Sequence, residues 1–195
     1  FSRSPQPRWQ VPTSIFNHGI STAALFLLVG YLMKRRGSAE IDNFGGVQKV
    51  APVLAGFLLV AGLSSLSLPG LAPFVSEFGV LAGTWTKYPW AAGISAIAMV
   101  LAALYIMRMY KRTMTGLPSA EVEEKVSELS MAERWIIVPL LALLLVLGVY
   151  PTPLTRVLNP DSEQAVTFVE KATNHEAVAP AAQPESTTIS LGGAR

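Results

Sequence analysis

Apolar residues fall into long runs broken by short polar segments, not into the finer alternation of a water-facing surface. The first run extends from Ser14 to Met33 and stops at Lys34-Arg35-Arg36. As a helix it measures about 30 Å, the thickness of a bilayer's hydrocarbon core. Gly37, Asp42-Asn43 and Gly45-Gly46 mark residues 37–49 as a loop. The second run, residues 50–85, carries Glu77 as its only charge. One straight helix of that length would be about 54 Å long, too long for a single crossing. It is interrupted at Ser64-Ser65-Leu66-Ser67-Leu68-Pro69-Gly70, and Pro73 follows. The third run covers 90–108. The fourth covers 131–150, opens on a capping-box pattern from Ser130 to Glu133, and closes at Tyr150-Pro151.

Two readings of the second run are open: one crossing made from a broken helix, or a tight hairpin of two crossings. Basic clusters follow the first run (Lys34, Arg35, Arg36, Lys49) and the third (Arg108, Lys111, Arg112). A broken single crossing puts both clusters on one side; a hairpin splits them. Cytoplasmic loops gather positive charge, so the broken crossing is favoured. The predicted fold class is an all-α integral membrane region over 14–158 with about four transmembrane helices, the second discontinuous. A polar, Pro-rich lead-in (1–13) precedes it. The tail 159–195, rich in Ala, Pro, Glu, Ser and Thr, is expected to be largely disordered, with one short helix at 164–174. The linker 113–129 has a thin apolar edge, Val122, Val126 and Leu129, which could lie on the membrane surface or against a partner; a solvated loop helix is the favoured reading.

Composition sharpens this picture. Charged residues make up 14% of the chain and hydrophobic ones 51%, and mean hydropathy is +0.42. Soluble domains carry about 25% charged residues. The net charge is only +2 and its basic residues flank apolar runs, which fits topology control better than nucleic-acid binding. Without cysteine, disulfides, thiolate metal sites and iron–sulfur clusters are excluded on this chain. His18 and His175 are far apart and form no metal constellation. The first 13 residues lack the apolar core and cleavage site of a signal peptide, and the chain reads as beginning inside a longer protein.

Glu77 is the sharpest chemical signal. A carboxylate near the middle of a spanning helix costs about 2.5–3.5 kcal/mol on insertion scales, so such groups usually serve ion paths or proton relays. The bland reading places it near the headgroups, simply solvated. Ser64, Ser65 and Ser67, beside the helix break at Pro69, Gly70 and Pro73, are channel-lining candidates, because unwound backbone at membrane depth lines wet cavities. Equally, serines let helices pack closely and a proline only kinks. His18, next to Asn17, is either a proton relay or an interfacial histidine bonded to backbone.

Several motifs resemble the antiporter-like membrane subunits of respiratory complex I. They are Asn17-His18-Gly19-Ile20-Ser21-Thr22-Ala23-Ala24-Leu25-Phe26, Phe44-Gly45-Gly46-Val47, Leu68-Pro69-Gly70 through Pro73-Phe74-Val75-Ser76-Glu77-Phe78, and Tyr150-Pro151-Thr152-Pro153-Leu154. An acid at position 77, where relatives usually carry Lys, resembles the subunit M branch of NADH-quinone oxidoreductase. The resemblance implies that Glu77 terminates a proton half-channel and that His18 lies on a central hydrophilic axis. It implies a proton-translocating part of a translocase enzyme, sited in a bacterial-type inner membrane as a multi-pass protein. NADH, FMN, iron–sulfur clusters and quinone would belong to other subunits, with none on this chain. The implied partners are the L-type and N-type antiporter-like subunits and the lipid bilayer, with no nucleic acid. Family members have many more spanning helices, so a fragment unable to pump alone is expected. A sodium/proton antiporter or membrane-bound hydrogenase subunit is the alternative reading, and a non-transporting membrane scaffold the third.

Overall fold

The computed structural model describes residues 10–158 and Phe168. The expected disordered tail, its short helix, and residues 1–9 of the lead-in lie outside the described residues. The helices are α1 (Gln10–Arg36), α2 (Val47–Val50), α3 (Pro52–Ser65), α4 (Ala72–Lys87), α5 (Pro89–Met114), α6 (Ala120–Lys125) and α7 (Met131–Val149), with a 3-10 turn at Ile41–Asn43. Residues 152–158 are helical again, and no strand occurs among the described residues. The chain is an all-α, multi-pass membrane protein. α1 starts in the lead-in because Pro12 is tolerated in a first turn, where its missing N–H costs nothing. α7 starts on the capping box: the Ser130 hydroxyl accepts from the Glu133 N–H, and the Glu133 carboxylate accepts from the Ser130 N–H at 2.8 Å.

Three helices are long and apolar enough to cross a membrane: α1 from Pro12, α5 and α7. α3 and α4, of 14 and 16 residues, would each fall short of a hydrocarbon core of about 30 Å. They share one crossing. Both pack along α1 yet barely touch each other. Ser65 at the end of α3 lies 3.1 Å from Ser21, hydroxyl to hydroxyl. Asn17, one turn earlier on α1, donates to the Ala72 carbonyl at the start of α4 at 2.8 Å. α4 therefore continues along α1 where α3 stops, which is the broken crossing and not the hairpin.

α5 returns beside α3, where the Tyr110 hydroxyl donates to the Ala55 carbonyl at 3.4 Å. Ion pairs Arg35–Glu133, Arg36–Glu121 and Arg112–Asp42 then bring the ends of α1 and α5 together with the start of α7. Both basic clusters lie at one end of the bundle.

The linker expectation is overturned. Val122, Val126 and Leu129 are buried in the main core, not solvated. The thin apolar edge found a surface to cover between α1 and α2. The Glu128 carboxylate reaches back and accepts from the N–H groups of Val53 and Leu54 at 2.8 and 2.9 Å. These are orphan donors of α3's first turn, and an anion there also meets the helix dipole favourably. The Gly45-Gly46 turn packs on the same linker. Gly46 has φ +67, and a Cβ there would fall 2.3 Å from the Pro118 nitrogen, so only glycine fits.

Candidate functional site

The site is built around the break between α3 and α4. α3 ends in a Schellman motif: the Leu68 N–H donates to Leu63 O at 3.3 Å and the Ser67 N–H to Ser64 O at 3.0 Å. That motif requires a left-handed residue, and Ser67 fills it with φ +52; Gly70 follows with φ +95. Pro73 then sits in the first turn of α4, where no N–H is needed. A left-handed L-residue costs roughly 1–2 kcal/mol. Ser67→Gly is therefore expected to be neutral or stabilising. Ser67→Val, β-branched in the same conformation, is expected to destabilise by roughly 2 kcal/mol. Thermal midpoints of the solubilised protein measure both; equal midpoints for Gly and Val would remove the strain argument.

α1 faces the break with one stripe. Thr13, Asn17, Ser21, Ala24, Leu28 and Leu32 are all buried, at the three- and four-residue steps of one helix face. The half beside the break is polar and the other half joins the apolar core. Asn17 donates to Ala72 O and, at 3.4 Å, to the Ser76 hydroxyl. Ser65 also bonds back to Ala61 O. Ser64 and Ser67 are buried, and their hydroxyls have no hydrogen-bond partner among the described residues.

Glu77, half-buried one residue after Ser76, lines a cavity of about 200 Å³ with Ser14, Val80, Leu81, Thr84, Ser95 and Met99. Three hydroxyls and a carboxyl converge there from α1, α4 and α5. A cavity of that size with several polar partners has room for water. Thr84 and Ser95 lie toward the α4–α5 turn, at the end opposite the basic clusters. His18 is exposed among the described residues and turned away from the break; its Nδ1 is 3.3 Å from the Thr22 hydroxyl. Ser14, His18 and Thr22 follow one another at four-residue steps, so His18 is one turn from the cavity. The structure thus brings Glu77 to Ser14, and Ser65 to Ser21, and leaves His18 apart from both groups.

Sequence reasoning passed over Asn17, Ser76 and Gly148. The last sits against the break: a Cβ on Gly148 would fall 2.3 Å from Gly70 O and 2.6 Å from Leu71. Among the described residues, no group of three or more His, Cys, Asp or Glu side chains is placed to hold a metal.

Residues 10–104 match the family described as NADH:quinone oxidoreductase/Mrp antiporter, transmembrane. Over 155 residues the chain is 51% identical to NADH-quinone oxidoreductase subunit M of Mycobacterium tuberculosis, an alignment covering 80% of this chain and 28% of that protein. The chain belongs to this family. It is 34% identical over 145 residues to subunit M of Rickettsia bellii, covering 74% of this chain and 29% of the relative. The chain thus spans under a third of the length of these antiporter-family relatives. Its fold superposes on a chain of respiratory complex I from Thermus thermophilus with bound NADH, with a TM-score of 0.73 and 30% identity. That likeness covers 82% of this chain and 34% of the other.

Proposed function

We propose that this chain is part of a proton-translocating membrane subunit of an NADH:quinone oxidoreductase, acting as one piece of a translocase. The observation that carries the reading is the Glu77 carboxyl, set six residues past a helix break on a largely apolar cavity that also holds three hydroxyls. A carboxyl exchanges one proton between its two states, and hydroxyls hold the water that delivers it. The cavity gives Glu77 access toward the end opposite the basic clusters. His18, one turn from Ser14, supplies a titratable group on the α1 side. Ser64, Ser65 and Ser67 supply polar atoms at the break.

The relatives' names support the coupling to NADH and quinone. NADH, FMN, iron–sulfur clusters and quinone then bind other subunits, and the neighbours in the membrane are the L-type and N-type antiporter-like subunits. The shared basic end is the cytoplasmic one by the positive-inside rule, and the bacterial relatives support a bacterial-type inner membrane.

The test compares wild type with Glu77→Gln and Glu77→Asp in the intact complex. Proton uptake per NADH oxidised is read in inside-out vesicles. Gln cannot ionise, so its ratio is expected to fall, with Asp retaining part of it. Equal ratios in all three would end the reading, and a sodium-dependent ratio would move the chain to the antiporters.

A further inference from the structure

We propose that Asn17 is a positioning residue that fixes the height and rotation of α4 against α1, and thereby aims Glu77 into its cavity. This rests on the role proposed for Glu77 above.

Asn17 is 2% exposed and spends its side-chain amide NH2 on α4 alone. Its orientation is settled by chemistry: the Ala72 carbonyl can only accept, so the Asn17 NH2 must face it. The same NH2 reaches the Ser76 hydroxyl at 3.4 Å, and Ser76, fully buried, in turn donates to the Pro73 carbonyl at 3.1 Å. One side chain of α1 therefore holds two points of α4, separated by one turn. Two contacts fix both translation and rotation of a helix, whereas one would leave it free to swivel. A firm grip is needed here because α4 is not continuous with α3, so the chain's own helix does not hold its register. Glu77 follows Ser76 directly. Ser14, three residues before Asn17, lines the Glu77 cavity from α1. The tie and the cavity wall thus come from the same turn of α1. His18, next in sequence, is rotated by about 100° onto an exposed face and cannot take this part.

The experiment uses the assembled complex in inside-out vesicles. Four variants are compared with wild type: Glu77→Gln, Asn17→Leu, Asn17→Ser, and the exchanged pair Asn17→Ser with Ser76→Asn. Protons taken up per NADH oxidised are measured over a range of pH. Asn17→Leu is expected to lose as much coupling as Glu77→Gln. Asn17→Ser, whose shorter side chain cannot span to both partners, is expected to move the pH profile of pumping. The exchanged pair, which returns an amide to the α1–α4 contact from the other side, is expected to recover coupling above Asn17→Ser. A fault of packing alone would lower pumping equally at every pH and would not be repaired by the exchange. If Glu77→Gln uncouples while Asn17→Leu and Asn17→Ser keep the wild-type ratio and profile, the positioning role falls and the function stands. If the pair recovers nothing, the positioning role also falls. If Glu77→Gln pumps as wild type, both fall together. Should Asn17→Leu not assemble, Asn17→Ser and the pair still decide the matter.

Discussion

Gly148→Ala is expected to lower the thermal midpoint of the solubilised protein, although alanine is the better helix former. Inside a helix, Gly→Ala alone would stabilise by about 1 kcal/mol. Here the added Cβ would meet backbone, Gly70 O at 2.3 Å and Leu71 at 2.6 Å, and backbone at a helix break has no rotamer with which to step aside. Either α7 must lift off the break or the break must shift. Overpacking of this kind costs about 1–3 kcal/mol, which outweighs the propensity gain. The sign makes the test sharp. A midpoint raised by the substitution would mean that α7 and the break are not in contact.

Arg35→Ala is the second large effect. The guanidinium donates to Tyr31 O at 3.0 Å and to Glu128 O at 3.2 Å, and it pairs with Glu133. The pair is mostly removed from water, with side chains 12% and 18% exposed. Breaking a buried pair by deleting one partner costs about 3–5 kcal/mol, because the other charge is left without compensation. Residual exposure puts this case below that range, at about 2 kcal/mol. Arg35→Lys is expected to recover only part, since an ammonium lacks the planar fork that reaches three acceptors. A double-mutant cycle with Glu133→Gln, read by thermal midpoints, isolates the pair. Additive effects within about 0.5 kcal/mol would show the two charges do not interact.

What the sequence disclosed and what it hid follow from the range of the forces involved. Pro69, Gly70 and Pro73 constrain their own backbone, so the break was visible locally. The turn residue was not: glycine is the expected left-handed residue, yet Ser67 closes α3 and Gly70 only follows it. The count of basic residues by side favoured the single crossing, because topology depends on summed charge; the contacts of α3 and α4 along α1 decided it. Asn17 was visible but overlooked in favour of its titratable neighbour. The signal was the step of three and four residues from Thr13 to Leu32, which puts 17 and not 18 on the buried face. Glu128 left no local trace, since its targets at the start of α3 lie 74 and 75 residues away. For the same reason the edge Val122, Val126 and Leu129 reads as solvated in the sequence alone. A short apolar edge states that something can be covered, and only the third dimension states by what. Gly148 likewise is one glycine among many until Gly70 arrives beside it.

The interruption also restricts its own surroundings. Leu68, Pro69 and Gly70 stand exposed on this bundle, at a depth where acyl chains cannot hydrogen-bond to unwound backbone. Lipid tails are thus unsuitable neighbours for that stretch, and only protein or a column of water can occupy the ground beside it. The seam at 68–70 marks the flank of this bundle that is closed to oil.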